Sequence, residues 1–474
     1  MKKVIPLILL LLLATWLGAT YLISDQVEKN YANAVKQVNQ KLKSDFPFIT
    51  LEPETFDKGF LSSEATSRIS GIGDSSEGIG LRHKIYHGPV MFTPAGVKTG
   101  SSYIVTTIDL DTFPEEVRQT IRKASDTDNP LTISLLTGTS ETFDVDIELA
   151  PLQFRESGNN APEITFDGLT GSVQTDVDGS FLTGGFHSGK LTIEDEQGAK
   201  LSLAPGEGVF DITDIYNGTV LSGTSRATLP EASISAPGVE SRLQGLSISS
   251  ENNTRGDTLT SKLAISVEKL QLEVPASHIQ LPDSTIQLQT EISGIETTAL
   301  KQLLDTQQEL NALQMNSVAS SFSNKASPVL DEEAMGKTLQ RYMQSLVNLV
   351  KPGLQSTTRF MLKNEAGIAD LHLDLGYAES RDLSQLPTIR DLIGAVKGEL
   401  EIKADEKLLS TLSLDALAAM PVAMGFATQE NGQLQSLIRL EKGDLNVNGG
   451  PLPLMNMLGP VLNQPSPIPA LLAN

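Results

Sequence analysis

The chain has 474 residues, a formal net charge of −22 at pH 7 and no cysteine. A chain of this length has room for two or three domains of the usual size, about 100 to 200 residues each. Its negative field disfavours nucleic acid and anionic lipid headgroups as partners. The lack of cysteine excludes disulfides, Cys-ligated zinc, iron–sulfur clusters and thiol catalysis.

An apolar run from Val4 to Ile23 is long enough to cross a bilayer, which takes roughly 20 residues. Two lysines precede the run and Asp25 follows it, so the positive-inside rule places the N-terminus in the cytoplasm and the rest of the chain outside. We therefore predict a membrane anchor at residues 1–23. The alternative is a cleavable signal peptide, for which Leu17-Gly18-Ala19 offers a poor cleavage site.

Directly after the anchor, apolar side chains recur at helical spacing, at Val27, Tyr31, Val35, Val38 and Leu42. This pattern predicts an amphipathic stalk helix at residues 24–45. One interpretation is that the apolar stripe packs on the chain's own next domain, as such stripes usually do. The other is that it pairs with a second copy and forms a homo-oligomer.

Alternating polar and apolar residues dominate from residue 46 to residue 295 and predict an extended antiparallel β region. In Phe143–Leu149 every second residue is apolar and the residues between them are acidic. In Leu263–Val274 the apolar positions change from odd to even, which predicts a bulge or a break near Glu268-Lys269.

A weak repeat runs through this β region. A glycine followed by a leucine three residues later recurs at intervals of 39 and 38 residues, beginning at Gly179, Gly218 and Gly256. A period of that size predicts stacked β units that bury their apolar faces against one another. The alternative is chance alignment, since glycine and leucine are common here.

Three short motifs carry a family resemblance. They are Lys-Gly-Phe-Leu-Ser-Ser at 58–63, His-Gly-Pro at 87–89 and Gly-Asp-Leu-Asn-Val-Asn-Gly at 443–449. Together with the anchor, they resemble the YdgA-like family of bacterial inner-membrane-anchored periplasmic proteins of unassigned function. The resemblance implies a location and a fold class and brings no catalytic residues. Within the motifs we expect structural roles for His87, Gly88, Pro89, Gly59, Asn448 and Gly449.

After residue 295 helical and strand patterns alternate, which predicts a smaller α+β domain at 296–448. Apolar residues fit one helix over Leu300–Leu313 and a second over Met335–Val350, which Pro352-Gly353 ends. The Pro- and Leu-rich tail at 449–474 has no clear period. We expect this tail to be mobile, with coverage of a groove as the alternative.

No constellation of residues nominates a catalytic, cofactor or metal site. His83 and His87 share a strand face, but their Cα atoms are predicted to lie roughly 13 Å apart, too far for one ion. The acidic residues between Phe143 and Leu149 point outward in parallel and are interpreted as a solvated row. We predict no cofactor and no nucleic-acid partner, and an enzyme with no identifiable site is the least supported class.

The predicted function is that of an anchored, periplasm-facing envelope protein. Alternating strands over roughly 250 residues create much apolar face, and few helices are available to cover it. A curled sheet would turn that face into a groove for a lipid or another extended apolar ligand. AsmA-like envelope proteins, which are linked to lipid trafficking, are similar to this chain in outline. A structural or assembly factor acting through protein partners is the alternative.

Overall fold

A computed structural model describes residues 49–71, 78–138, 142–155, 162–176, 178–274, 279–322, 332–452 and 459–468, and ten single positions between 19 and 39. The chain forms two compact units. The first comprises Met1–Lys190 and Asn311–Leu330, and the second comprises Leu191–Leu310 and Asp331–Asn474.

The fold is mainly antiparallel β with a few helices, which confirms the mainly β part of the predicted class. Within the described ranges, no helix is long and apolar enough to cross a bilayer. The predicted anchor falls almost wholly outside these ranges, since residues 1–18 are not among them.

The described strands of the first unit form an antiparallel meander, with one α-helix between two of them. Their bounds are β1 (Thr50–Asp57), β2 (Ser62–Ser70), β3 (Ile79–His87), β4 (Val90–Thr93), β5 (Gly96–Thr99), β6 (Ser102–Ile108), α1 (Glu115–Ala124), β7 (Leu131–Thr137), β8 (Thr142–Leu149), β9 (Leu152–Arg155), β10 (Glu163–Phe166), β11 (Leu169–Asp176) and β12 (Leu182–Ser188). The sheet order is β1–β2–β3–β6–β7–β8–β11–β12. β4 and β5 form a hairpin of their own, and so do β9 and β10.

The second unit contains longer strands and the remaining helices, except that the helix Thr297–Phe322 belongs to the first unit from Asn311 onward. Their bounds are β13 (Leu191–Glu194), β14 (Lys200–Leu203), β15 (Gly206–Tyr216), β16 (Thr219–Ala236), β17 (Val239–Arg255), β18 (Thr258–Val274), β19 (Ile279–Glu296), α2 (Thr297–Phe322), α3 (Glu332–Leu349), β20 (Gln355–Asn364), β21 (Gly367–Tyr377), α4 (Ile389–Ala395), β22 (Val396–Asp405), α5 (Glu406–Thr411), α6 (Asp415–Ala423), β23 (Thr428–Glu430), β24 (Gln433–Glu441), β25 (Asp444–Val447) and β26 (Gly450–Leu452).

The sheet of the second unit runs β16–β17–β18–β19–β20–β21–β22–β24, with each strand antiparallel to the next. β19 and β20 pair although α2 and α3 lie between them in the chain. The predicted boundary at residue 295 therefore falls inside one continuous sheet. α2 and α3 confirm the two predicted helices, and α3 ends at Leu349, shortly before Pro352.

Two irregular features noted in the sequence have clear positions in the fold. The register of β18 against β19 shifts between Val267 and Leu270, where a bulge was predicted. The repeated glycines Gly179, Gly218 and Gly256 have φ values of 67°, 75° and 59° and lie in turns between successive strands. The repeat therefore marks the turns of a meander, at positions where a left-handed backbone favours glycine.

The structure describes part of the predicted mobile tail. Over its described part, Gly459–Asn463 forms a short 3₁₀ helix in which Leu462 is fully buried. The backbone N–H of Ile389, at the start of α4, donates to the carbonyl oxygen of Gln464 at 3.2 Å. A buried leucine and a backbone hydrogen bond thus hold this part of the predicted mobile tail against α4.

Candidate functional site

The His87 motif closes one end of the first sheet. His87 is 1% exposed, and its Nε2 atom lies 2.8 Å from Oγ of Ser63, which also accepts the backbone N–H of Gly59 at 3.2 Å. Gly88 has φ of 114°, and a Cβ there would lie 2.6 Å from Oγ1 of Thr20. A side chain at position 88 would therefore push the N-terminal helical residues away from the sheet.

His83 lies on the same strand face and is held between two hydroxyl groups. Its Nε2 atom is 2.7 Å from Oγ of Ser67, and its Nδ1 atom is 2.9 Å from Oγ1 of Thr106. Burial lowers the pKa of His83 to about 4, and burial together with the charge of Lys58 lowers the pKa of His87. Both imidazoles are therefore neutral at pH 7 and serve as hydrogen-bonding groups, His87 buried and His83 half-buried.

Tyr31 of the predicted stalk stripe packs on this histidine face, and Val35 of the same stripe is buried. The ring centroid of Tyr31 lies 5.6 Å from that of Phe56 and 6.0 Å from that of His83. Val35 is 6% exposed. The Tyr31 hydroxyl donates to the carbonyl oxygen of Thr66 at 3.3 Å. Through Tyr31 the stripe thus packs on the sheet of its own unit.

The other predicted motif residues occupy turns. Pro89 accepts the backbone N–H of Gly100 through its carbonyl oxygen at 3.2 Å. Asn448 and Gly449 form the turn between β25 and β26, with φ values of 51° and 83°. Asn448 exchanges two 2.8 Å hydrogen bonds with the backbone of Leu437, one of them through its side-chain oxygen. This turn is therefore fixed to β24.

One face of the second sheet is polar and carries alternating charges. Residues in register across strands share a face, and Glu251, Lys262 and Glu291 follow one another in this way across β17, β18 and β19. Nζ of Lys262 lies 3.6 Å from a carboxylate oxygen of Glu291. Further along, Arg359 lies 2.6 Å from Asp370 and lowers the pKa of that carboxyl. An open trough of about 840 Å³ lies over this face.

The opposite face of the same sheet is apolar. One apolar residue from each of the seven strands β16 to β22 lies in direct register with the next. These residues are Ala227, Ile248, Ile265, Leu288, Phe360, Leu371 and Ile402. We call this set the apolar row. Beside it, Leu263 is 39% exposed, and Ile248 within it is 38% exposed. The other members of the apolar row are half-buried.

The trough and the apolar row therefore lie on opposite faces. The sequence predicts that a groove would form on the apolar face, whereas the trough described here lies over the charged face, where residues such as Glu251 and Lys262 line it together with apolar residues such as Val209. A ligand on the apolar face would instead lie flat along a broad surface. Sequence reasoning found Leu263 and Ile265 by their alternation but did not align them with Phe360, because two helices separate β19 from β20 in the chain.

Comparison with known proteins identifies a family. Residues 1–455 match the model of a family described as a bacterial protein of unknown function, DUF945. The chain belongs to this family. This agrees with the expectation of a bacterial family of unassigned function, and the YdgA-like resemblance itself stays a prediction. No curated protein and no solved structure matches the chain.

Proposed function

We propose that this protein is anchored in the bacterial inner membrane by residues 4–23 and binds lipid along the apolar face of its second unit. In this proposal the N-terminus is cytoplasmic and the bulk of the chain is periplasmic. The support for the anchor is the apolar run, with lysines before it and Asp25 and Glu28 after it.

The observation that carries the lipid proposal is the half-exposed apolar row. Neighbouring strands lie about 4.8 Å apart, so seven strands span about 29 Å. Two lipid tails end to end fill the roughly 30 Å hydrocarbon core of a bilayer, so the row is long enough for an extended tail. Apolar surface in water costs free energy in proportion to its area, at about 25 cal/mol per Å². A ligand that covers the row gains part of this free energy.

The pairing of the strands favours a lipid over a partner strand. A peptide that extends a sheet needs a free strand edge, where it can bind through backbone hydrogen bonds. β17 to β22 each have a paired neighbour on both sides. What these strands offer is a side-chain face, and a hydrocarbon chain can cover such a face without any hydrogen bond.

The test is photo-crosslinking of the full-length protein in mild detergent with a phosphatidylethanolamine that carries a diazirine in its tail. Cross-linked peptides are mapped by mass spectrometry. We expect labelling of β17–β19 peptides in addition to the anchor. Ile248→Glu combined with Leu263→Glu should reduce labelling of those strands severalfold, because the two charges stand on the apolar face.

The matched control is Ser249→Glu combined with Ala264→Glu, which places the same charges one residue further along on the polar face. In this control the lipid probe should label β17–β19 peptides as strongly as it does in the unaltered protein. Labelling of anchor peptides serves as the internal standard in every sample. Labelling confined to the anchor, or equal labelling of the two double variants, would contradict lipid binding on the apolar face.

A further inference from the structure

We propose that two loops at one end of the first unit rest on the bilayer surface beside the point where the anchor leaves it. The loops are residues 58–61, between β1 and β2, and residues 88–101, which contain the β4–β5 hairpin. This inference rests on the proposed anchor and adds a second membrane contact to it.

The tips of these loops carry exposed apolar side chains. Phe60 is 43% exposed and Leu61 is 51% exposed. In the hairpin, Phe92 is 67% exposed and Val97 is 62% exposed, and the two are direct cross-strand partners. Four large apolar side chains that share one end of a unit indicate an interaction surface.

The backbone holds these side chains in place. Met91, which alternates with Phe92, is 2% exposed, and its cross-strand partner Lys98 places its Nζ atom 5.5 Å from the ring centroid of Tyr103. One face of the hairpin is therefore packed on the sheet, and the other face carries Phe92 and Val97 outward. In the loop at residues 58–61 the carbonyl oxygen of Leu61 accepts the backbone N–H of His87 at 2.9 Å.

The N-terminal helical residues fix the orientation of this end. Thr20 is fully buried and lies against Gly88, whereas Asn39 makes two hydrogen bonds with the backbone of Leu51 at the start of β1. Thr20 stands three residues before the end of the apolar run at Ile23, about 4.5 Å along a helix. The end of the sheet that contains Gly88 is therefore the end that faces the membrane.

The composition of the loops suits a bilayer surface. Residues 58–61 and 88–101 contain two lysines and no aspartate or glutamate, in a chain that has 58 acidic residues. Lys58 is exposed and can face lipid headgroups while the apolar tips enter the boundary between headgroups and tails. Basic residues beside exposed aromatic and aliphatic side chains are typical of segments that lie in this interface.

The chain has no cysteine, so single labels can be placed on the full-length protein. A nitroxide is attached to Phe60→Cys, Phe92→Cys or Val97→Cys, and the protein is reconstituted in vesicles of phosphatidylethanolamine and phosphatidylglycerol at 3:1, a ratio of about 25% anionic lipid. Collision rates with oxygen and with a water-soluble nickel complex are then compared. At these three positions we expect the collision rate with oxygen to exceed the collision rate with the nickel complex severalfold, as it does for a label surrounded by lipid.

Val117→Cys provides the matched control. Val117 is 42% exposed in the same unit and lies on α1, which follows the opposite end of β6. Its label should collide mainly with the nickel complex. A label at Leu10→Cys reports the anchor itself. If the Leu10 label is in lipid while the loop labels collide like the Val117 label, the loop inference is overturned and the anchor stands. If the Leu10 label is in water, the anchor and the loop inference are both overturned.

Discussion

The histidine face of the first sheet is more polar than the apolar row of the second sheet, yet its side chains are more deeply buried. In the first unit the face with His83 and His87 also carries serine and threonine, yet Ser67 and His87 are 0% and 1% exposed. In the second unit the apolar row has no polar member, yet Ile248 remains 38% exposed. Burial therefore follows what packs on a strand as well as the character of its side chains.

Hydrogen bonds make the sealed polar face tolerable. A buried polar group without a partner costs about 1 to 3 kcal/mol. His83 has a hydroxyl partner on both ring nitrogens, and His87 has one on Nε2. Covered by Tyr31, this face forms a specific interior. An open apolar face has no such specificity and suits ligands of variable shape.

The largest expected effect tests the difference in burial directly. Ile85 is 1% exposed in the first unit, whereas Ile265 in the apolar row is half-buried. Ile85→Ala should lower the free energy of opening of β3 by about 4 kcal/mol, because it leaves a cavity. Ile265→Ala should lower that of β18 by about 1 kcal/mol, because part of its surface already meets water.

Hydrogen–deuterium exchange of strand peptides in the full-length protein measures both free energies. The unaltered protein provides the reference for each strand. Equal losses for the two variants would mean that the apolar row is as tightly covered as the histidine face, and the contrast between the units would disappear.

The next effect concerns pH. Folding lowers the pKa of His83 from about 6.5 in an unfolded chain to about 4. Between these values the unfolded state binds the extra proton, so stability is complete above pH 6.5 and is lost as the pH falls towards 4. At about 1.4 kcal/mol per pH unit, the first unit should lose about 2 kcal/mol between pH 6.5 and pH 5.

The measurement is the exchange protection of β2 and β3 peptides at pH 6.5 and pH 5, corrected for the intrinsic exchange rates. In His83→Gln the loss should shrink, and the remainder reports His87, whose pKa is shifted in the same direction. β18 peptides serve as the comparison in the second unit. A pH response that is unchanged in His83→Gln would assign the effect to other groups.

The alternation of polar and apolar residues in the sequence does not predict most of this difference in burial between the two units. The alternation of Phe143–Leu149 predicted a strand, and β8 covers these residues. The phase change near Glu268 likewise predicted the register shift in β18. Periodicity gives the type of element and its two faces because both depend on residues close in the chain. It does not identify what covers a face.

The missing information is long-range. Tyr31 and His83 are 52 positions apart in the chain, and Leu288 and Phe360 pair across two helices. Neither contact leaves a local signal, so the sequence could single out His87 and Gly88 by motif without showing that Thr20 packs against Gly88. For the same reason, the expected groove was placed on the apolar face while the trough lies on the charged one.

A smaller effect tests the hydrogen bonds of the sealed face. Ser67→Ala removes the partner of Nε2 in His83 and should lower the free energy of opening of β3 by about 1 to 2 kcal/mol. Ser249→Ala, on the polar face of the second unit, should change the free energy of opening of β17 by less than about 0.5 kcal/mol. Exchange protection measures the free energy of opening in both variants. If Ser67→Ala is as mild as Ser249→Ala, the hydroxyl contact does not stabilise the buried imidazole.

The smallest expected effect concerns the outer faces, where the two units should behave alike. Lys84 pairs with Glu64 at 2.8 Å in the first unit, and Lys262 pairs with Glu291 at 3.6 Å in the second. All four side chains are largely exposed, so each Lys→Ala variant should change the opening free energy by less than about 1 kcal/mol, and high salt should remove the change. Exchange protection at low and high salt measures this. A loss of several kcal/mol for Lys262→Ala alone would show that the charged face, over which the trough lies, stabilises the second unit. The two units would then differ in their charged faces as well as in the burial of the histidine face and the apolar row.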